Sequence, residues 1–72
     1  MRPSRALPQI GAPARIRLFS GESESVTIVE LREQGRCVVV AGPDGARREF
    51  TLRRANAFFI ERGCQHSPRL EF

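Results

Sequence analysis

Residues 37–53 read CVVVAGPDGARREFTLR and carry the strongest fold signal in the chain. A short apolar run, Cys37–Ala41, is followed by the turn GPDG and by an alternating segment, Arg47–Arg53. Proline suits the second position of a tight turn, and glycine tolerates positive φ at its end. The apolar run is typical of a strand covered on both faces, and the alternation predicts that Phe50 and Leu52 face inward. This stretch therefore predicts a β-hairpin.

Three further strands are predicted around this hairpin. Residues 15–19 alternate polar and apolar, and residues 57–60 form a short apolar segment. Residues 26–32 are rich in β-branched types, but their apolar positions change phase midway, as in a strand that bends and serves two parts of a barrel. Five short strands joined by tight turns predict an all-β fold, a small, strongly bent, five-stranded antiparallel barrel of the Sm-like or SH3-like type.

Length and composition limit the classes of protein to which this chain can belong. The chain has 72 residues, a net charge of +4 and no apolar run near the roughly 20 residues that a membrane span needs. We expect one domain: a flexible, proline-rich basic arm over 1–13, the barrel over 14–62 and a C-terminal tail over 63–72. Cys37 lies in an apolar run and is expected to be buried, while Cys64 lies in the tail. Two cysteines give no disulfide framework, so a reducing, cytoplasmic location is expected.

Catalysis and metal binding find little support in the sequence. The single histidine, His66, lies in the predicted tail, where a rigid partner for nucleophilic chemistry is not expected. Cys64 and His66 supply only two of the four ligands that zinc usually takes. No phosphate-binding glycine motif is present. We therefore predict a protein that is not an enzyme, with no catalytic residue, no metal site and no cofactor.

The charge is patterned along the chain. Residues 1–21 contain four arginines and no acid, residues 22–33 contain four glutamates and one arginine, and residues 34–54 contain five arginines and two acids. The first strand of such a barrel commonly lies near the last ones, so the two basic blocks are expected to merge into one face. Guanidinium groups match phosphate oxygens. The candidate nucleic-acid-binding residues are Arg15, Arg17, Arg47, Arg48, Arg53 and Arg54. Alternatively, these arginines only solvate a strand face and oppose aggregation.

The small size and the aromatic pair predict self-association. A single core in a chain this short rarely supplies more than about 3–5 kcal/mol, so an additional source of stability is expected. Adjacent phenylalanines in a strand point to opposite faces, and the outward one could stack a base or fill a contact between subunits. Of these two roles, we favour the contact between subunits. The predicted interface residues of a homo-oligomer that assembles through edge strands are Phe58, Phe59 and Ile60.

Two segments resemble a known family. The run Ile16–Gly21, a β segment and a turn, then Cys37–Val40, resembles the first motif of the bacterial Sm-like host-factor proteins (Hfq). Phe50–Ile60 is similar to their second motif, in which two basic residues precede a small turn and an apolar strand. The resemblance implies a ring closed by pairing the fourth strand with a neighbour's fifth strand. It also implies that Arg53 and Arg54 contact uridine-rich RNA at the pore. The family's N-terminal helix is replaced here by the proline-rich arm.

A second resemblance is to the small Sm-like inhibitor of the transcription terminator Rho (Rof). Its strand–turn–strand run ends in an alternating pattern like that of residues 49–53. That resemblance implies a protein partner and an acidic working face, which the basic composition here does not match. We therefore predict a non-catalytic barrel that binds single-stranded nucleic acid, RNA in preference to DNA. The alternative is a protein-interaction or self-assembly module of the same fold without nucleic-acid binding.

Overall fold

Six strands and one short turn of 3₁₀ helix form in the described part of the chain. The structure, a computed structural model, describes residues 8–55 and 57–72. The strands are β1 (Pro13–Arg17), β2 (Ser23–Arg32), β3 (Cys37–Ala41), β4 (Arg47–Leu52), β5 (Phe59–Glu61) and β6 (Arg69–Glu71). Each pairs antiparallel with its two neighbours, and β6 pairs with β1 to close a barrel. The predicted small antiparallel all-β barrel is confirmed, with six strands where the sequence predicts five.

The turn GPDG joins β3 and β4 as predicted. The Gly42 amide donates to the Ala46 carbonyl at 3.0 Å, and the Gly45 amide donates to the Gly42 carbonyl at 2.9 Å. Gly45 has a φ of 84°, which a residue without a Cβ adopts at no steric cost. The hairpin then runs in register from Ala41 opposite Arg47 to Cys37 opposite Thr51.

The predicted bend in the second strand is confirmed. The register between β2 and β3 shifts between Ile28 and Glu30, so that Val29 is the extra residue of a bulge. Residues 23–27 pair with β1, while residues 27–32 pair with β3. A bulge of this kind sharpens the local twist and lets one strand serve two parts of a barrel.

The C-terminal segment differs from the predicted tail. Residues 69–71 form β6, in which Leu70 lies opposite Ile16 of β1 and Phe59 of β5. Leu70 is only 5% exposed and packs in the main core. A three-residue strand is too short to show a period in the sequence, because Leu70 is its only apolar residue.

The core lies inside the barrel, and most of the apolar positions that were predicted to face inward belong to it. Its buried members come from five of the six strands: Ala14, Ile16, Val26, Ile28, Val38, Val40, Phe50 and Leu70. Phe50 is fully buried as predicted, but Leu52 is 37% exposed and the expectation that it faces the core is wrong. Leu52 is the last residue of β4 and lies opposite Phe59 at the end of the ladder, where the barrel opens to solvent.

Part of the predicted arm also belongs to the fold. Residues 1–7 of the arm, and Asn56 of the short connection predicted at 54–56, lie outside the described residues. The Gly11 amide donates to the Ile28 carbonyl at 2.7 Å, and the Ile28 amide donates to the Ala12 carbonyl at 3.0 Å. The end of the arm therefore extends the pairing between β1 and β2 as far as Ile28, the residue before the bulge.

The two leucines provide a direct test of this arrangement. Leu70→Ala should lower the free energy of unfolding by about 2–5 kcal/mol, because it removes buried methyl groups from the core. Leu52→Ala is the matched control and should cost about 1 kcal/mol or less, because its side chain is partly solvated. Urea denaturation followed by far-ultraviolet circular dichroism measures both. A larger loss in Leu52→Ala would support the sequence-based pattern and contradict the six-stranded barrel.

Candidate nucleic-acid interface

Arg48 lies in an ion-pair network at one mouth of the barrel. Its Nε and Nη2 atoms donate to the two carboxylate oxygens of Glu61 at 3.0 and 2.6 Å, and Nη1 donates to Glu24 at 3.2 Å. Its guanidinium carbon lies 6.0 Å from the ring centroid of Phe50. A guanidinium held on both edges by carboxylates has few donors left for phosphate. Arg48 therefore links β2, β4 and β5 in this structure.

A second network covers the outer face of β2, β3 and β4. Arg32 donates to Glu30 at 2.7 Å and lies 3.7 Å from Glu49, which also accepts from Arg62 at 2.8 Å. Arg47 lies 4.0 Å from Glu30. The hydrogen bond from Arg32 lowers the pKa of Glu30. Three arginines and two glutamates leave this face with little excess positive charge.

Cys37 is buried beneath this second network. Val38 faces the core, so Cys37 lies on the opposite side of β3 and is only 1% exposed. Its Sγ atom donates to a carboxylate oxygen of Glu49 at 2.8 Å. Burial, followed by this hydrogen bond, raises the pKa of the Cys37 thiol to about 11. The same hydrogen bond, together with that from Arg62, lowers the pKa of Glu49. The expectation of a buried Cys37 is confirmed.

A third surface, formed by β1, β6 and the residue before β5, is rich in arginine. Arg15 and Arg17 alternate with the buried Ile16 and point outward, and Arg69 lies opposite Arg17 in the ladder between β1 and β6. The Arg69 guanidinium carbon lies 4.7 Å from the ring centroid of Phe58. We call Arg15, Arg17, Arg69 and Phe58 the basic face. Its sequence signal was partial, since Arg69 and its strand were not predicted.

The basic face has one nearby carboxylate. Glu71 accepts from the Nε atom of Arg17 at 3.1 Å. Arg15 and Arg69 form no ion pair with any described residue. Beside Arg15, a cavity of about 460 Å³ is lined by residues of β1 and β2, by Glu71 of β6 and by Phe72. This surface therefore combines two guanidinium groups that have no carboxylate partner, a partly exposed ring and an adjacent cavity.

The remaining predicted basic pair lies in the turn that precedes Phe58. The guanidinium of Arg53 donates to the Cys64 carbonyl, and the Arg53 amide donates to the Phe58 carbonyl at 2.8 Å. Arg54 is exposed and forms no ion pair with any described residue. Of the six predicted arginines, the structure brings Arg15 and Arg17 together. Arg48 is held by carboxylates elsewhere, and Arg47 lies near Glu30 on the outer face of β2, β3 and β4.

The three predicted interface residues occupy different environments. Ile60 is 2% exposed within the chain itself, so the expectation that it contacts a neighbour is corrected. Phe59 is half-buried, packs against the core and lies 5.4 Å from the Phe72 ring, centroid to centroid. Phe58 is 43% exposed and can reach a partner. The ladder between β4 and β5, which the family resemblance places between subunits, forms here within one chain.

Comparisons with family profiles, curated proteins and solved structures find no match for this chain. The described residues include no helix with the length and hydropathy that a membrane crossing requires. They also include no cluster of three or more histidine, cysteine or acidic side chains arranged to hold a metal ion.

The buried thiol makes stability depend on pH in an alkaline window. Because the pKa of Cys37 is raised from an ordinary thiol value of 9.0, the folded chain binds this proton more tightly than the unfolded chain does. The resulting stability is complete below pH 9.0 and is lost as the pH rises towards about 11. The maximum slope is about 1.4 kcal/mol per pH unit. The chain has no tyrosine and no lysine, so this window is free of lysine and tyrosine titration.

Cys37→Val should remove this slope, while Cys64→Ser should retain it. Urea denaturation at a series of pH values across the window measures the slope in each variant. A slope of the same size in Cys37→Val and in the unmodified protein would contradict the assignment to Cys37.

Proposed function

We propose that this protein binds single-stranded nucleic acid, RNA in preference to DNA, without catalysis. The basic face is the observation that carries the proposal. It places Arg15, Arg17 and Arg69 on two adjacent strands, with the half-exposed ring of Phe58 packed against Arg69. Surface arginines supply salt-dependent affinity for the phosphate backbone, and an exposed aromatic ring offers a platform on which any base can stack.

Elsewhere on the barrel, glutamates neutralise the charge of nearby arginines, which favours the basic face as the binding site for phosphate groups. Arg32, Arg47, Arg48 and Arg62 each lie within ion-pair distance of a glutamate. Phosphate would have to compete with these carboxylates and would be repelled by them. On the basic face the only such carboxylate is Glu71, among the described residues. Three arginines and one carboxylate therefore give the basic face a net positive charge beside the exposed ring.

The preference for RNA and a cytoplasmic location complete the proposal. The resemblance to the Sm-like host-factor proteins supports RNA, and the exposed Arg54 occupies one of the two basic positions of their second motif. We propose that Arg54 extends the basic face along the strand of nucleic acid. Both cysteines are free, which is consistent with a reducing compartment.

Two double variants, each of which removes two positive charges, test whether the arginines of the basic face bind nucleic acid. Arg15→Gln with Arg69→Gln should weaken binding of a fluorescein-labelled, uridine-rich oligoribonucleotide. It should also flatten the dependence of log Kd on log salt by about one to two units. Arg47→Gln with Arg62→Gln removes the same charge from two exposed arginines that lie near Glu30 and Glu49. This control should change the salt dependence of binding by less. Fluorescence anisotropy at several salt concentrations measures both pairs. Equal effects would indicate a response to net charge alone and would contradict the assigned face.

The stacking platform has its own test. Phe58→Leu should weaken binding by about tenfold at unchanged salt slope, because it removes base stacking and retains charge. Phe19→Leu is the control, since Phe19 is 92% exposed and has no role in the proposal. A deoxyribonucleotide of matching sequence tests the preference for RNA. Absence of saturable binding at physiological salt would overturn the proposed function.

A further inference from the structure

The mouth of the barrel at the turn between β3 and β4 contains a groove outside the basic face. Its cavity measures about 580 Å³. One wall is the first half of β2, including Glu24 and Ser25, and the other is the turn that contains Pro43 and Asp44. This volume lies within the usual range of ligand sites in proteins. We call this cavity and its walls the mouth groove.

β2 leaves one edge unpaired along this groove. The Leu18 amide donates to the Glu22 carbonyl at 2.8 Å, so even-numbered residues of this part of β2 direct their backbone groups towards β1. The backbone N–H and C=O groups of Ser23 and Ser25 therefore point away from β1. The pairing with β3 begins only at Thr27. Among the described residues, Ser23 and Ser25 pair in a ladder with β1 alone, and no turn or loop residue donates to or accepts from their backbone groups.

The charge of the mouth groove is negative. Glu24 and Asp44 line it together with one arginine, Arg48. Arg48 is shared between Glu24, at 3.2 Å, and Glu61, which lies outside the lining and binds it through both carboxylate oxygens. Three carboxylates and one guanidinium therefore leave a net negative charge at this mouth. This potential disfavours phosphate and favours a cationic ligand.

Apolar side chains form the rest of the groove lining. Ile16, Val26, Pro43 and Ala46 contribute to it, and none of them carries a polar side-chain atom. Side chains of an extended peptide alternate between two faces, so that one set can contact such a lining while the other lies in solvent or meets carboxylates. Free backbone groups and a lining that accepts alternate side chains are the features that recognition by strand addition uses. The acids of this groove add a preference for a basic peptide.

We propose that the mouth groove binds an extended basic peptide segment of a partner protein, which adds to β2 as a strand at Ser23 and Ser25. Backbone hydrogen bonds with these two residues would supply affinity. Small apolar side chains of the peptide would enter the groove, and its lysine or arginine side chains would lie near Glu24 and Asp44. This inference does not depend on nucleic-acid binding, since the mouth groove and the basic face carry opposite charges, although they adjoin where Ser25 lies opposite Arg15.

Three matched peptides test the proposal on the intact chain. The probe is a short, acetylated and amidated peptide of alternating valine and lysine, labelled with fluorescein. The first control replaces lysine with glutamate, and the second carries N-methyl groups on the amides that would pair with β2. Each control should bind at least about tenfold more weakly than the probe, because one reverses the charge and the other removes backbone donors. Equal binding of either control, or no binding of the probe, would overturn the proposal.

Nuclear magnetic resonance and one conservative variant test whether the peptide binds in the mouth groove. Addition of the probe to ¹⁵N-labelled protein should shift the amide resonances of Ser23, Ser25 and the turn at 42–46 most strongly. Asp44→Asn retains the oxygen that accepts from the Ala46 amide and should weaken binding by about two- to fivefold. Glu33→Gln, at an exposed turn outside the groove, should leave the affinity for the peptide unchanged. Resonance shifts confined to β1 and β6, or equal effects of the two variants, would place the peptide elsewhere and refute the assignment.

Discussion

The pairing of β6 with β1 is the constraint on which the rest of this structure depends. Three residues close the barrel: Leu70 enters the core, while Arg69 lies opposite Arg17 on the outside. Without this ladder, β1 would present an unpaired edge and the core would be open at Ile16. The same three residues thus complete the hydrophobic interior and create the arginine-rich surface, so the fold and the candidate site have a common origin.

The distribution of carboxylates determines which arginines remain available. The net charge of +4 suggests a broadly basic protein, but glutamates on β2, β4 and β5 hold most arginines of the central strands. These exposed ion pairs contribute little to stability individually. Their larger consequence is that, among the described residues, arginines without an ion pair are found on β1 and β6 and in the turns at Arg36 and Arg54. Sequence composition cannot reveal this, because it counts charges and does not identify partners.

The sequence predicted the features that arise from local physical chemistry. The turn GPDG, the inward Phe50 and the phase change in β2 each follow from a pattern within a few residues, and each is confirmed. The features that were missed arise from long-range contacts. Leu70 is buried because β1 and β5 flank it, and Leu52 is exposed because the β4–β5 ladder ends beside it. Likewise, Arg48 resembles Arg47 in sequence, and only the folded chain brings Glu61 to it.

The opposite charges of the two proposed surfaces follow from the unequal lengths of two paired strands. The first half of β2 pairs with β1 on one side and is open on the other, because β3 ends at Ala41, which lies opposite Thr27. β1 presents arginines outward, whereas the open side of β2 adjoins Glu24 and the acidic turn. A nucleic acid on β1 and a basic peptide at the mouth groove would therefore meet potentials of opposite sign within one small barrel. Such separation disfavours exchange of the two ligands between sites, since each site repels the ligand of the other.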